Sequence, residues 1–181
     1  MSLLLRLKIL IGCLSLLWVV GLVNYLLNYS LNEYGIVPRE FVGLRGVVLS
    51  PLLHGSVQHL AVNSVSFVLF GGLLIARGVK FFVFTILFVG VVGGLGVWMI
   101  ADAGSVHVGA SGVVFGMFGF LMFRGFFAKK PLDLLISFAV IFLYGGVIWG
   151  VLPGEAGVSW ESHLCGFLAG ALFAYCCRIK D

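Results

Sequence analysis

The chain has 181 residues, of which 61% are hydrophobic and 10% charged, with a net charge of +4 and a mean hydropathy of +1.18. A soluble domain carries nearer a quarter charged residues, so these values exclude one and specify a polytopic membrane protein. The 26 glycines, roughly twice the usual share, suit a bundle in which small residues let membrane helices approach closely.

Six stretches come near the ~20 residues a helix needs to cross the hydrocarbon core: 7–27, 57–76, 81–100, 111–128, 132–151 and 162–177. The expectation is therefore an all-α fold, a single domain over 1–181 with no soluble domain. The first stretch contains "LIGC" (10–13), which resembles a lipoprotein cleavage box. Only four apolar residues separate Lys8 from Cys13, too few for a signal peptide's apolar region, so an uncleaved first span is expected. The connection that follows, 28–56, is exceptionally long, and loops of that length are usually functional or disordered. It opens on a glycosylation sequon (Asn28, Tyr29, Ser30), but "REFVGLRGVVLSPLLHG" is too apolar for disorder and reads as a segment in or on the outer leaflet.

With six spans, both termini share a side with the 2–3 and 4–5 loops. That side holds Arg6, Lys8, Arg77, Lys80, Arg124, Lys129, Lys130, Arg178 and Lys180, nine of the eleven basic residues; the other has Arg39 and Arg45, with Glu33, Glu40, Asp102, Glu155 and Glu161. Basic residues concentrate in cytoplasmic loops, so the termini are expected in the cytoplasm. The net charge reports topology and requires no nucleic-acid partner. Cys13, Cys165, Cys176 and Cys177 fall within spans, without metal-ligand or disulfide spacing, and read as packing residues.

Polar groups inside a membrane are costly and by default suggest function. The second span opens "HGSVQHLAVN", with His59 and Asn63 on one helical face. The fourth opens on Ser111, and the sixth has His163 one turn inside. All four lie near the noncytoplasmic ends of even-numbered spans and could meet at one depth. His54 and His107, in loops, are weaker candidates. Each polar group alone could simply hydrogen-bond between helices. A zinc site is disfavoured, since no His-Glu-x-x-His occurs and no acidic residue is placed well inside a span; no cofactor is expected.

A Ser–His–Asp triad needs a carboxylate behind the imidazole, and none is available by this reading. A dyad remains: Ser111 as nucleophile and His163 as base. The Ser111 backbone N–H, His59 and Asn63 would be oxyanion donors. From Ser111 to Arg124, read as the first charge at the inner boundary, is 13 residues, roughly 20 Å, against a core about 30 Å thick. Ser111 would then lie roughly 10 Å below the outer boundary, at the floor of a wet pocket.

"GASG" (109–112), "HLCGFLAG" (163–170) and "HGSVQHLAVN" (54–63) together resemble, in order and spacing, the three signatures of the rhomboid intramembrane serine proteases. The likeness runs from Tyr34 onward and looks closest to the bacterial GlpG type, a six-transmembrane-helix core with a long first loop. It implies Ser111 as nucleophile, His163 as base, and His59, Asn63 and the Ser111 amide as oxyanion donors. Gly109 belongs to the serine motif, and Gly166 and Gly170 would let the sixth helix pack on the fourth. Transmembrane protein substrates, a lipid surround and a bacterial inner-membrane location with the site opening outward are implied too. Two positions depart from the family pattern. Phe115 stands where a tyrosine often stacks on the catalytic histidine, and Leu44 precedes Arg45 where a tryptophan is typical. The rival readings are an inactive rhomboid-like protein that binds transmembrane clients, and a transporter or channel, for which neither a repeated half nor a continuous polar path is evident.

Overall fold

The computed structural model of the protein describes residues 2–154 and 157–179; Glu155 and Lys180, counted in the charge balance, lie outside the described residues. Among the described residues seven α-helices form in chain order: α1 (Leu3–Leu26), α2 (Gly46–Leu49), α3 (Val57–Arg77), α4 (Val79–Ile100), α5 (Ser111–Ala128), α6 (Pro131–Tyr144) and α7 (Trp160–Cys176). Local chemistry sets their limits. Ser2, Ser56 and Ser159 accept backbone N–H groups at the starts of α1, α3 and α7, removing orphan donors that would otherwise go unsatisfied. Pro131 opens α6, where its missing N–H costs nothing. Gly78, at φ +152°, breaks the chain between α3 and α4.

Among the described residues, five segments are long and apolar enough to cross a membrane: α1, α3, α4, α5 and Pro131–Val151. The sixth expected crossing, α7, has 17 residues and stands outside that set by its length. The expected helix over 132–151 ends at Tyr144 and continues as a 3₁₀ segment, Gly145–Val151. The Gly145–Gly146 pair explains the change, since glycine destabilises an α-helix interior.

The long connection is more ordered than a surface loop. It folds into 3₁₀ turns at Ser30–Tyr34, Phe41–Arg45 and Ser50–Leu52 around α2. Phe41 and Val48 are left strongly exposed, as suits a segment lying against lipid. Arg45 sits 4.3 Å over the Tyr34 ring and donates to the Glu33 carbonyl at 2.9 Å. The Trp98 indole N–H holds the Glu40 carbonyl at 2.8 Å. Arg45 is thus anchored through Tyr34, whatever residue precedes it.

At the centre stands α5, with Met117, Phe118 and Phe120 wholly buried. Against it α7 packs backbone to backbone: a Cβ at Gly166 would strike the Gly112 carbonyl, and one at Gly170 the Gly116 carbonyl. Close approach of this kind lets van der Waals contact join helices where lipid offers no hydrophobic drive.

One charge reading is corrected here. Arg124, taken as a marker of the inner boundary, is 2% exposed; it donates to the Cys177 carbonyl at 2.9 Å and lies 3.8 Å from Asp133. Asp133, also buried, pairs with Arg77 as well. Arg124 therefore sits inside the bundle, and a depth reckoned from it loses its reference point. Two carboxylates, Asp133 and Glu161, are buried in the first turns of α6 and α7, at the helix starts and not well inside a span.

Candidate active site

The cavity end of the molecule is assembled by α3, α5, α7 and the segments before them. Ser56 caps α3 by accepting the His59 N–H at 3.0 Å, which puts His59 in the first turn and Asn63 one turn further on the same face. The chain entering α5 is pinned at three points. His107 exchanges both backbone bonds with Ile36 at 3.0 Å, Gly109 donates to the Ser50 carbonyl at 2.9 Å, and the Ala110 N–H donates to His54 Nε2 at 3.3 Å. Gly109 has φ +126°, open to glycine and strained for other residues. A Cβ there would lie 2.7 Å from His59 Cε1 and 3.6 Å from Ser111 Oγ, so the His59 ring and the Ser111 hydroxyl converge on the space that Gly109 leaves empty.

On the facing side, His163 lies in the first turn of α7, capped by Ser159. Its Nδ1 is 2.8 Å from the Gly150 carbonyl, in the 3₁₀ segment after α6. A carbonyl only accepts, so Nδ1 carries the hydrogen, and in the neutral ring Nε2 holds the lone pair. The Phe115 ring stacks on the imidazole at 4.0 Å and 8°. Gly150 makes room for both, since a Cβ there would be 2.7 Å from Phe115 Cζ and 3.5 Å from His163 Nδ1.

These groups border one cavity of about 820 Å³, lined among others by His59, Asn63, Ser111, Phe115 and His163. Ser111 and His163 are 8% and 9% exposed, sheltered yet reachable from the cavity. Asn63 Nδ2 is buried with no hydrogen-bond partner among the described residues, an uncommon state for a buried amide, and the residue lines that same space. Ser111 is the first residue of α5, where backbone N–H groups have no partner within the helix. Although Glu161 is buried, the partner of His163 Nδ1 is the Gly150 carbonyl, so the imidazole is oriented without a carboxylate.

The two loop histidines do more than the sequence suggests. His54 is 2% exposed, holds the peptide just before Ser111, and packs edge-on to His59 with ring centroids 5.1 Å apart. Burial pushes its pKa down to about 4, with His59 adding to the shift and a backbone bond to Leu52 opposing it. His107, also buried, is held below the ordinary histidine value by burial, with Glu161 and Asp102 opposing. The sequence signal was motif position alone, His54 at the head of the 54–63 motif and His107 just before the serine motif, since helical periodicity says nothing about loops.

The rhomboid domain family matches residues 42–180. This chain belongs to the rhomboid family. Among its relatives, an uncharacterized protein of Mycobacterium tuberculosis is 39% identical over 169 residues, 89% of this rhomboid and 70% of the relative. An uncharacterized protein of Mycobacterium leprae is 36% identical over 170 residues, covering 90% and 67%. The Bacillus subtilis "Putative rhomboid protease YdcA" is 30% identical over 138 residues, covering 71% and 65%. Family membership together with the apolar helices makes this rhomboid an integral membrane protein.

Proposed function

We propose that the protein is an intramembrane serine endopeptidase that cuts membrane-protein substrates in or near their transmembrane segments with a Ser111–His163 dyad. The observation that carries the reading is the Gly150 hydrogen bond to His163 Nδ1. It leaves Nε2 as the basic nitrogen of a ring that borders the same cavity as Ser111. Nε2 takes the Ser111 proton as Oγ attacks the scissile carbonyl, and the imidazolium then returns that proton to the leaving amine. Water enters the open cavity, His163 again acts as base, and the acyl-enzyme is hydrolysed. The Ser111 N–H, His59 and the unpartnered Asn63 amide are the donors for the oxyanion, a role worth most where water is excluded.

A helical peptide bond has its carbonyl already bonded and its backbone shielded, so the substrate must unwind to react. In the antiparallel pattern at Ile36–His107, the polar groups of Val106 and Val108 point away from Ile36, and both residues line the cavity. That free edge supplies partners for an unwound backbone, which in lipid would otherwise cost several kcal/mol per group. Cleavage is expected near the noncytoplasmic end of the substrate's span, after a small residue, with helix-weakening residues downstream.

In this reading α7 is the sixth crossing, residues 1–181 form one rhomboid domain of the bacterial GlpG type in the inner membrane, and both termini are cytoplasmic. With the buried Arg124 set aside, eight of the eleven basic residues on one side support that orientation. The test is labelling by a serine-reactive fluorophosphonate together with cleavage of a transmembrane-segment substrate. Wild type should label and cut, Ser111→Ala and His163→Ala should each abolish cleavage while remaining folded, and the double variant should be no worse than either. Substantial cleavage by Ser111→Ala would overturn the dyad. Labelling without cleavage of any transmembrane substrate would overturn the protease reading.

A further inference from the structure

The glycine contact between α5 and α7 sets how closely the two helices approach, but it leaves open what holds their cavity ends in register. A chain of polar side chains bridges them there. His107 Nε2 lies 2.7 Å from Ser105 Oγ, and its Nδ1 lies 2.6 Å from Ser159 Oγ. Ser159 Oγ is in turn 2.6 Å from Ser162 Oγ. His107 stands four residues before Ser111, and Ser159 four before His163. The bridge therefore joins the two arms of the proposed dyad at equal chain distance.

The proton directions in this chain follow from its ends. Ser105 Oγ donates to the Asp102 carbonyl at 2.5 Å, so it must accept from His107 Nε2–H. In the neutral ring Nδ1 then accepts, which makes Ser159 the donor to it, and Ser162 the donor to Ser159. Ser159 Oγ also accepts the Ser162 backbone N–H at 3.3 Å as the cap of α7. The serines are half-buried around the buried His107 ring; each group has its partner, and a satisfied network fixes one geometry where a partly satisfied one would not. The backbone of His107 is itself clamped to Ile36 on both sides, so the ring is presented from a fixed base.

We propose that His107, through Ser159, is a positioning residue of the proposed reaction: it locks the segment leading to Ser111 against the start of the helix that carries His163. The inference rests on the dyad reading. Neither residue touches the reacting atoms; both set where those atoms stand. A misplacement of ~1 Å far from the chemistry can lower a rate ~10²-fold, so loss of the bridge should slow turnover by roughly 10- to 100-fold with KM little changed.

The experiment compares His107→Ala, Ser159→Gly, their double variant and Ser159→Thr with wild type. Glycine is nearly as good an N-cap as serine, so Ser159→Gly removes the hydroxyl while sparing the start of α7; threonine keeps both. The readouts are the rate constant for fluorophosphonate modification of Ser111 and the fraction modified at completion. Positioning predicts slower modification to a full end point in His107→Ala and Ser159→Gly. The double variant should be no slower than the worse single, because both remove one interaction, and Ser159→Thr should react at the wild-type rate. A wild-type rate in Ser159→Gly overturns the proposal. So does an unchanged rate with a reduced end point, which marks a purely structural role. If His107→Ala does not fold, Ser159→Gly against Ser159→Thr decides. A Ser111→Ala control that still becomes labelled would sink the dyad reading itself, a result distinct from all of these.

Discussion

Gly150 is the position where one added methyl group reports most directly on the site. Its carbonyl holds His163 Nδ1, and a Cβ there would stand 2.7 Å from Phe115 Cζ. Carbon atoms in contact prefer about 3.5–4.0 Å, so in Gly150→Ala the ring must retreat by about 1 Å. It cannot retreat alone, because its face lies 4.0 Å from the imidazole, and the imidazole is tied to residue 150. Overpacking of this sort costs about 1–3 kcal/mol in stability, and a displacement of ~1 Å at the base lowers the rate ~10²-fold. Gly150→Ala should thus fold, melt slightly lower, and turn over roughly 100-fold more slowly in a purified cleavage assay with a transmembrane-segment substrate. Adding Phe115→Leu should recover part of the loss by vacating the space the methyl needs. Wild-type kcat in Gly150→Ala would refute the reasoning, and so would a double variant no better than Gly150→Ala.

Other expectations are as direct. His59→Ala or Asn63→Ala should lower kcat by ~10²–10³ with KM nearly constant; a raised KM at intact kcat would make these residues substrate-binding or structural instead. Asp133→Asn removes the counter-charge shared by Arg77 and Arg124 and should destabilise the protein by about 3–5 kcal/mol, read from unfolding in mild detergent; a loss within experimental error would show that the cluster adds nothing. His54 binds its proton less readily folded, at about 4, than unfolded, at about 6.5. The unfolded chain therefore takes up a proton first, and stability falls as pH drops from about 6.5 to about 4, by about 3 kcal/mol in all. Melting curves across that range should show wild type losing more than His54→Gln, and equal losses would refute the assignment.

The sequence was informative where polar chemistry interrupts apolar helices. Ser111, His59, Asn63 and His163 stand out because hydrogen-bonding side chains are scarce there, and helical spacing puts His59 and Asn63 on one face. Gly166 and Gly170 came into view only through the family resemblance, since in a chain with 26 glycines two more in a span carry no signal of their own. What stayed hidden has no periodicity or no side-chain signature. His54 and His107 act from irregular backbone whose course depends on Ile36 and Ser50, distant in sequence. The partner of His163 is a main-chain carbonyl, and every residue has one; only the 3₁₀ path after Tyr144 brings that of Gly150 to the imidazole. Arg124 was misread because a charge near the end of an apolar run ordinarily marks the boundary, whereas Asp133, arriving from the next helix, lets it remain inside.

The backbone contact between α5 and α7 has a mechanical consequence. Side chains yield to stress by changing rotamer, whereas main-chain atoms in contact have no such slack. Gly112 and Gly116 against Gly166 and Gly170 therefore make the two helices one stiff member. Around it, α6 is held to α5 at its start through Gly125 and Ser137, and further along it turns Phe138 and Phe142 outward. Bilayer thickness, temperature and detergent act first on such outer, compliant parts. A change of lipid should accordingly alter how often a substrate enters the cavity, while one already inside reacts at an unchanged rate.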